Sequence, residues 1–576
     1  MRTTTRSPVR HRRPRRHQPG TSKEMELTTQ RTSVAANPRI PAPKNEPARE
    51  FRPGSPEAES VLREIDRLNN EVREITHVIG GERIGGDDTK NIVAPHDHQH
   101  VYATIPNVTD EIIDKAIQAA LDAQYDWSRT PWWERAAIFQ RVGELAAGKY
   151  RDELVATTMI GQSKTFHQAE IDAACEVTDF MRYNTYLASQ IYADQPPSLT
   201  GDINTIDQRP LEGFVLALTP FNFTAITANL PSTPALMGNT VVWKTSEKAA
   251  LASEVLYRLF EEAGVPPGVI NLVHGSGRHI SERALAHPDF AGFTFTGSTE
   301  VFRGLWKQAA QNIDAYKSFP RIVGETGGKN AVVAHPTADP DAVRVALIRA
   351  GFEYQGQKCS AASRAYIARS VWDAIKDELV ETVRGLPVGD PTKHETYVSA
   401  VIDEASLRKL ENAFERAAEL DSHTLLAGGK VHDETGWFVE PTIYESTDPT
   451  AFTFKEEFFG PLLAVYVYED DEFEDVLPLV DSTSEYALTL SIFGSDRAAI
   501  SHALDVLRNT AGMTYINDKP SGALMGQVSF GGGRASGTND KTGSRLALQR
   551  WVNGRFIKES LDPATDWTYP YLNLDA

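Results

Sequence analysis

The sequence predicts an α/β protein with two wound, mainly parallel sheets, and three observations lead there. Short runs that are apolar and β-branched or aromatic fall at 213–218, 240–243, 269–273 and 293–296. Unbroken runs of this kind belong to strands buried on both faces. Stretches of helical length separate them, at 225–238, 248–263 and 278–287, the rhythm of a doubly wound domain that binds ligands at the carboxyl ends of its strands. A second α/β set begins near Ile322 and runs to about residue 530, with strand candidates at 331–334, 365–368, 462–467 and 488–493. The length of 576 residues, with 41% hydrophobic and 24% charged content, leaves room for two to four domains with ordinary cores.

Net charge is −19, which argues against nucleic acid or anionic membrane as a partner of the whole protein. Two cysteines exclude a disulfide framework and fit a reducing compartment. No apolar run approaches a membrane span, and no apolar signal-peptide core follows Met1.

Residues 1–54 read as a disordered basic and Pro-rich tail. Its Arg- and His-rich part, 2–23, reads as a solvated tail. A mitochondrial presequence would need an apolar helix face that Val9 alone does not make, and a nucleic-acid arm is the other alternative. A polar helix is expected over 55–75, and Gly80-Gly81 with Gly85-Gly86 bracket a hairpin-like turn. His96, His98 and His100 alternate; a surface strand or loop is preferred to a metal site, and no metal is expected. Thr109 caps a helix whose buried stripe is Ile113, Ala116, Ile117, Ala120 and Leu121. Two further amphipathic helices are expected at 133–148 and 151–187, the second carrying Cys175 in a packing role. The end, 551–576, suits an edge strand or interface tail.

The chemistry gathers around 352–362. Cys359 follows an apolar helical run (Val343, Ala346, Leu347, Ala350) and a breaker, Gly356, and small residues follow it. A thiol on such a turn is open to a substrate, and Lys358 and backbone N–H groups would favour its thiolate. Several predicted strand ends carry partners for it. Asn222, in Thr219-Pro-Phe-Asn-Phe223, could donate to an oxyanion. Lys244 and Glu247 suit ribose hydroxyls, and the acid disfavours a 2′-phosphate. Gly297-Ser298 opens a helix as a weak Gly-rich loop. Glu325, before two glycines, could serve as a general base. Taken singly, each has a plain structural reading: turn Asn, surface Lys, solvated Glu, buried Cys.

Together, 219–223, 244–247, 297–299, 325–329, 356–359 and Glu457-Phe-Phe-Gly-Pro461 resemble the aldehyde dehydrogenases, in order and at matching spacing, over roughly residues 55–570. The resemblance implies a Rossmann-type NAD domain (55–194 and 212–323), an α/β catalytic domain (324–530), and a small β oligomerisation flap with a C-terminal segment (195–211 and 531–576). It implies Cys359 as nucleophile forming a thioester, Glu325 as base, and Asn222 with the Cys359 N–H as oxyanion donors. Thr219, Lys244, Glu247, Gly297, Ser298, Glu457 and Phe459 would meet NAD. Phe302 and Thr245 depart from the usual glycine and proline.

The stretches 220–226, 353–361, 515–519 and 534–541 resemble the subgroup acting on L-glutamate γ-semialdehyde, the second step of proline degradation. By that resemblance Gly522, Ala523 and Ser360 would hold the remote carboxylate, with Phe223 and Phe530 flanking the chain. The alternatives are another semialdehyde dehydrogenase, such as one for succinate semialdehyde, or a catalytically silent NAD-binding relative. The family also implies a homo-oligomer, a dimer or dimer-based, in which a hairpin at 195–211 pairs with a neighbour's C-terminal segment. A cytoplasmic location is expected, the mitochondrial matrix being the alternative if the basic N-terminus is a presequence.

Overall fold

Two parallel sheets meet along the segment that carries Glu325. The computed structural model describes residues 38–572; the basic run 2–23 lies outside the described residues. The first sheet is ordered Arg321–Glu325, Phe290–Thr296, Phe214–Leu218, Thr240–Lys244, Ile270–Val273, His77–Ile79, Glu82–Ile84. Its first five strands are parallel, and the last two add an antiparallel hairpin. Gly80 and Gly81 form the turn of that hairpin with φ of 59° and 84°, values that glycine adopts without steric cost. Chain order reverses between Phe214–Leu218 and Phe290–Thr296, the point at whose carboxyl ends sheets of this kind bind ligands.

The expected strands and the helices between them are present within a few residues, as Thr224–Leu236, Ala250–Ala263 and Gly277–Leu285. One boundary differs. The run near Ile322, expected to open the second set, is the edge strand of the first sheet, in register from Gly292↔Arg321 to Thr296↔Glu325. Its short apolar run does not specify a sheet; the partner strand does. Glu325 therefore stands at the last residue of one sheet, and Asn330–Ala334 begins the other.

The second sheet is ordered His423–Ala427, Thr442–Ser446, Leu462–Tyr468, Ala362–Ala368, Asn330–Ala334, Thr489–Phe493, Met513–Ile516. Only His423–Ala427 runs antiparallel to its neighbour. Val332, Ala365, Val465 and Ile492 are fully buried between the helical layers. The valines and the isoleucine each contribute about 1.5–3 kcal/mol on burial.

Three further expectations are corrected. The tail expected to be disordered to residue 54 is packed from residue 40: Phe51 is buried, Glu46 N–H donates to Asp179 Oδ1 (2.7 Å) and Arg49 N–H to Glu170 Oε1 (2.9 Å). An extended Pro-rich segment has no internal hydrogen bonds, and here buried carboxylates supply acceptors. The helix expected over 151–187 is broken after Arg151–Gln162 by Ser163 (φ 52°), and continues through a π-turn at Glu170–Glu176 into Val177–Ala193. The π-turn places Asp172 so that it accepts from Thr224 N (2.9 Å) and Ala225 N (2.8 Å). That carboxylate caps a helix whose own N-cap, Phe223, offers no acceptor, and its charge suits the helix N-terminus.

The third concerns 195–211. No hairpin forms within it: Asp202–Pro210 pairs along its length with Val552–Ser560 of the same chain, from Asp202↔Ser560 to Pro210↔Val552. Pro196 and Pro197 lack the N–H groups a first hairpin strand would need. Within the segment 551–576, Val552–Ser560 is thus an edge strand, as expected. His98 and His100 lie in the strand Asp97–Pro106, His98 Nε2 bonding Asp433 O and His100 packing against Tyr102 with the rings tilted by 36°.

Candidate active site

The nucleophile loop is built from its backbone outward. The helix Pro340–Phe352, capped by Asp339, delivers the chain to three successive left-handed residues: Tyr354 (φ 52°), Gln355 (56°) and Gly356 (65°). Left-handed non-glycine residues cost about 1–2 kcal/mol each, so the surroundings must impose them. They do. Gln355 Nε2 donates to Ser163 O (3.0 Å) and Ala400 O (2.8 Å), and Gln357 Oε1 accepts from Ile402 N (2.8 Å). A Cβ on Gly356 would lie 2.5 Å from Gly460 O, so only glycine fits. Downstream, Asn330 Nδ2 donates to Cys359 O (2.7 Å) and Ala361 O (2.8 Å).

Cys359 is 7% exposed. Burial pushes its thiol well up, the Glu325 and Glu457 carboxylates push the same way, and the N–H groups of Cys359 and Ser360 pull it down. The lysine expected to help is engaged elsewhere: Lys358 Nζ lies 3.0 Å from Glu353 Oε2. Backbone donors alone therefore favour the thiolate. Glu325 accepts from Gly532 N (3.2 Å) through Oε2, while its buried Oε1 has no hydrogen-bond partner among the described residues. Burial holds its carboxyl well above the usual carboxylate range. Asn222 is buried and donates one amide N–H to Gln357 O (3.1 Å), leaving the second. Cys175 is buried too, its Sγ 3.9 Å from Arg151 Nη2. It keeps the packing role expected of it.

One cavity collects Cys359, Glu325, Ser360, Phe223, Phe530, Gly522 and Ala523. The N–H groups of Gly522 and Ala523 donate to no described residue, and Gly522 (φ 94°) turns the loop. Two charged residues at this cavity were missed, Glu176 and Lys519; Lys358, expected beside the thiol, lines it too. Glu176 makes no hydrogen bond to a described residue; burial and then Asp172 push its carboxyl up to about 8. No helical or strand period marks it, because the π-turn that aims it is not a regular repeat. Lys519 stands in 515–519, a stretch informative only through the family resemblance.

The residues expected at the dinucleotide lie at the strand ends of the first sheet and across from them. Lys244 ends Thr240–Lys244, with Glu247 opening the next turn. Lys244 Nζ has no hydrogen bond or ion pair to a described residue, and burial lowers its pKa while Glu247 raises it. A secluded ammonium without a direct partner suits the hydroxyls of a ribose. Glu247 itself pairs with Lys90. Thr219 is less available, since its Oγ1 accepts from Trp243 Nε1 (3.2 Å).

Gly297 follows Phe290–Thr296, and Ser298 caps Thr299–Gln311 by accepting from Val301 N (3.3 Å). Phe302 stacks on Phe295 (5.7 Å between centroids) and fills the space a Cβ on Gly324 would take. The departure at this position is thus a packing exchange between Phe302 and Gly324. Glu457 Oε1 accepts from Gly328 N (2.7 Å), and Phe459 (φ 56°) meets Phe221 edge-on at 5.7 Å. That aromatic contact joins the loop after the first strand to the catalytic half.

A buried thiol and a buried carboxylate share one cavity beside the strand ends of the first sheet, and the chain belongs to the aldehyde dehydrogenase family of aldehyde-oxidising enzymes, whose model matches residues 84–557. Its relatives narrow the class. It is 45% identical over 529 residues to human mitochondrial delta-1-pyrroline-5-carboxylate dehydrogenase, covering 92% of this chain and 94% of that one. The Mycobacterium tuberculosis delta-pyrroline-5-carboxylate dehydrogenase structure bound with NAD is 48% identical, with TM-score 0.91 over 94% of this chain and 100% of that one. A 1-pyrroline-5-carboxylate dehydrogenase from Thermus with bound NAD is 28% identical, with TM-score 0.84 over 90% and 99%.

Proposed function

We propose that the protein oxidises L-glutamate γ-semialdehyde, in equilibrium with its cyclic imine, to L-glutamate with NAD, the second step of proline degradation. The observation that carries this is one cavity lined both by a thiol and by the two groups a zwitterion needs. The unused N–H groups of Gly522 and Ala523, with the Ser360 hydroxyl, suit a carboxylate. The secluded Glu176 suits an ammonium. Succinate semialdehyde has no ammonium and would offer Glu176, whose carboxyl burial pushes up to about 8, nothing that favours its ionised form. Phe223 and Phe530 wall the aliphatic chain between.

In this reading Cys359 Sγ attacks the aldehyde carbon as thiolate, and the oxygen is held by the second N–H of Asn222 and the Cys359 N–H. NAD, when bound, supplies the hydride acceptor. The acyl group is then on Sγ as a thioester. Glu325 takes a proton from water, water adds to the acyl carbon, and the thiolate leaves. Lys244 and Glu247 would hold the adenosine ribose, Gly297 and Ser298 the pyrophosphate, and Glu457 and Phe459 the nicotinamide end, with Thr219 nearby. An acid at the ribose opposes a 2′-phosphate. The direct test is NADH formation over a panel of ω-semialdehydes; succinate semialdehyde or propanal outperforming glutamate semialdehyde would remove the substrate assignment.

Glu325 yields a pH prediction. Burial holds this carboxyl above its usual range, so it gains base character only as pH rises through that raised pKa. The raised thiol of Cys359 works in the same direction. Turnover is therefore expected to climb on the alkaline side of pH 7. Glu325→Gln is expected to lower the steady rate by about 10²–10⁴-fold, while pre-steady-state absorbance shows a burst of NADH from the first turnover. A uniform slowing without a burst would place Glu325 before the thioester.

Assembly follows from the two-stranded ribbon. A lone ribbon is marginal in water, yet Ile203 (43%), Phe556 (72%) and Ile557 (42%) are exposed on it. We read it as the surface that meets a second copy, in a dimer or dimer-based assembly. Deleting 556–576 is expected to lower the mass by light scattering; an unchanged mass contradicts this. Among the described residues no helix is long and apolar enough to cross a membrane. The choice between cytoplasm and matrix turns on residues 2–23, outside the described ones.

A further inference from the structure

We propose that Lys519 is a specificity-determining residue: its ammonium moves from Glu353 to the remote carboxylate of the substrate and so selects aldehydes that carry one. This rests on the substrate reading above and adds a residue to it. Two lysines converge on one acid. Lys358 Nζ is 3.0 Å from Glu353 Oε2, and Lys519 Nζ is 3.5 Å from the same oxygen. Glu353 balances one of the two ammoniums, and Glu176, its carboxyl pushed up to about 8 by burial, adds little negative charge in the free cavity, so this part of it keeps a positive charge. His167, also close to Glu353, adds none, because burial lowers its pKa.

The two lysines are not equivalent. The Lys358 side chain is 7% exposed and enclosed with Glu353, whereas that of Lys519 is 27% exposed and at the longer distance. Its backbone, by contrast, is fixed. Asn517 exchanges two amide hydrogen bonds with Gly494 (2.8 and 2.9 Å), and Ser491 Oγ donates to Asp518 O. A flexible stem therefore rises from a rigid base at the edge of the cavity. Its tip is already beside the turn: Lys519 Nζ is 3.5 Å from Ser521 Oγ and 3.7 Å from where a Cβ on Gly522 would stand.

A carboxylate seated on the Gly522 and Ala523 N–H groups thus comes within reach of Lys519 without any backbone movement. It would gain a charge-assisted bond, about twice as strong as a neutral one. Glu353 keeps Lys358 throughout, so moving Lys519 leaves no acid unpaired. An aldehyde without a carboxylate gains nothing from the exchange.

The test is steady-state kinetics of Lys519→Met and Lys519→Arg with L-glutamate γ-semialdehyde and with propanal, using a fluorescence titration of NAD binding to verify the fold. Lys519→Met is expected to raise KM for glutamate semialdehyde about tenfold or more, with kcat within about twofold and propanal unchanged. Lys519→Arg is expected to restore most of the loss. A Met variant that keeps the wild-type preference overturns the proposal, and so does one that loses equally on both aldehydes. A wild type with no preference for glutamate semialdehyde removes the substrate reading and this proposal with it.

Discussion

Cys359→Ala is expected to abolish aldehyde oxidation, by on the order of 10⁴-fold or more, if Cys359 is the covalent nucleophile proposed above. Stability and cofactor binding should change little. The Sγ makes no hydrogen bond to a described side chain, and Cys to Ala removes one atom at a position already lined by small residues, an effect of about 1 kcal/mol or less. The left-handed run that presents the thiol is held by Gln355 and Gln357 rather than by the sulfur. The loop should therefore keep its shape in the variant. The comparison is Cys175→Ala, whose buried thiol faces Arg151 and Glu170 away from the cavity and should leave kcat intact. Stopped-flow NADH formation with both variants decides it. Activity lost with Cys175 and kept without Cys359 would overturn the mechanism.

The second large effect is expected at the Gly522-Ala523 turn, which the proposed reading sets against the substrate's far end. Gly522 has φ of 94°, which proline cannot adopt, and its N–H is one of the two donors offered to the carboxylate. Gly522→Pro removes the donor and reshapes the loop together. Ala523→Trp keeps the N–H but fills the cavity with a ring. Either change should raise KM for glutamate semialdehyde tenfold or more, since about 1.4 kcal/mol suffices, and an unpaired carboxylate costs more than that. Propanal, with no carboxylate to place, should lose less with Gly522→Pro. Comparing kcat/KM for the two aldehydes in wild type and variants checks this; equal losses on both would mean that the turn supports the fold and does not read the substrate.

Much of this protein is determined by local sequence. The strands 213–218 and 240–243 are legible because runs buried on both faces carry unbroken β-branched and aromatic side chains. Cys359, Glu325, Gly522 and Ala523 are legible because turn chemistry and family motifs mark them, and the fold brings them to one cavity. Only the tertiary structure decided that 321–325 closes the first sheet, that 202–210 takes its partner from 552–560, and that 151–187 breaks at a π-turn. It also decided that Lys358 turns from the thiol to Glu353, and that Glu176 and Lys519 reach the cavity. The physical reason is common to these cases. Periodicity and turn preference are properties of neighbouring residues, whereas strand partnership and the pairing of buried charge are set by segments far apart in the chain, which no local pattern records.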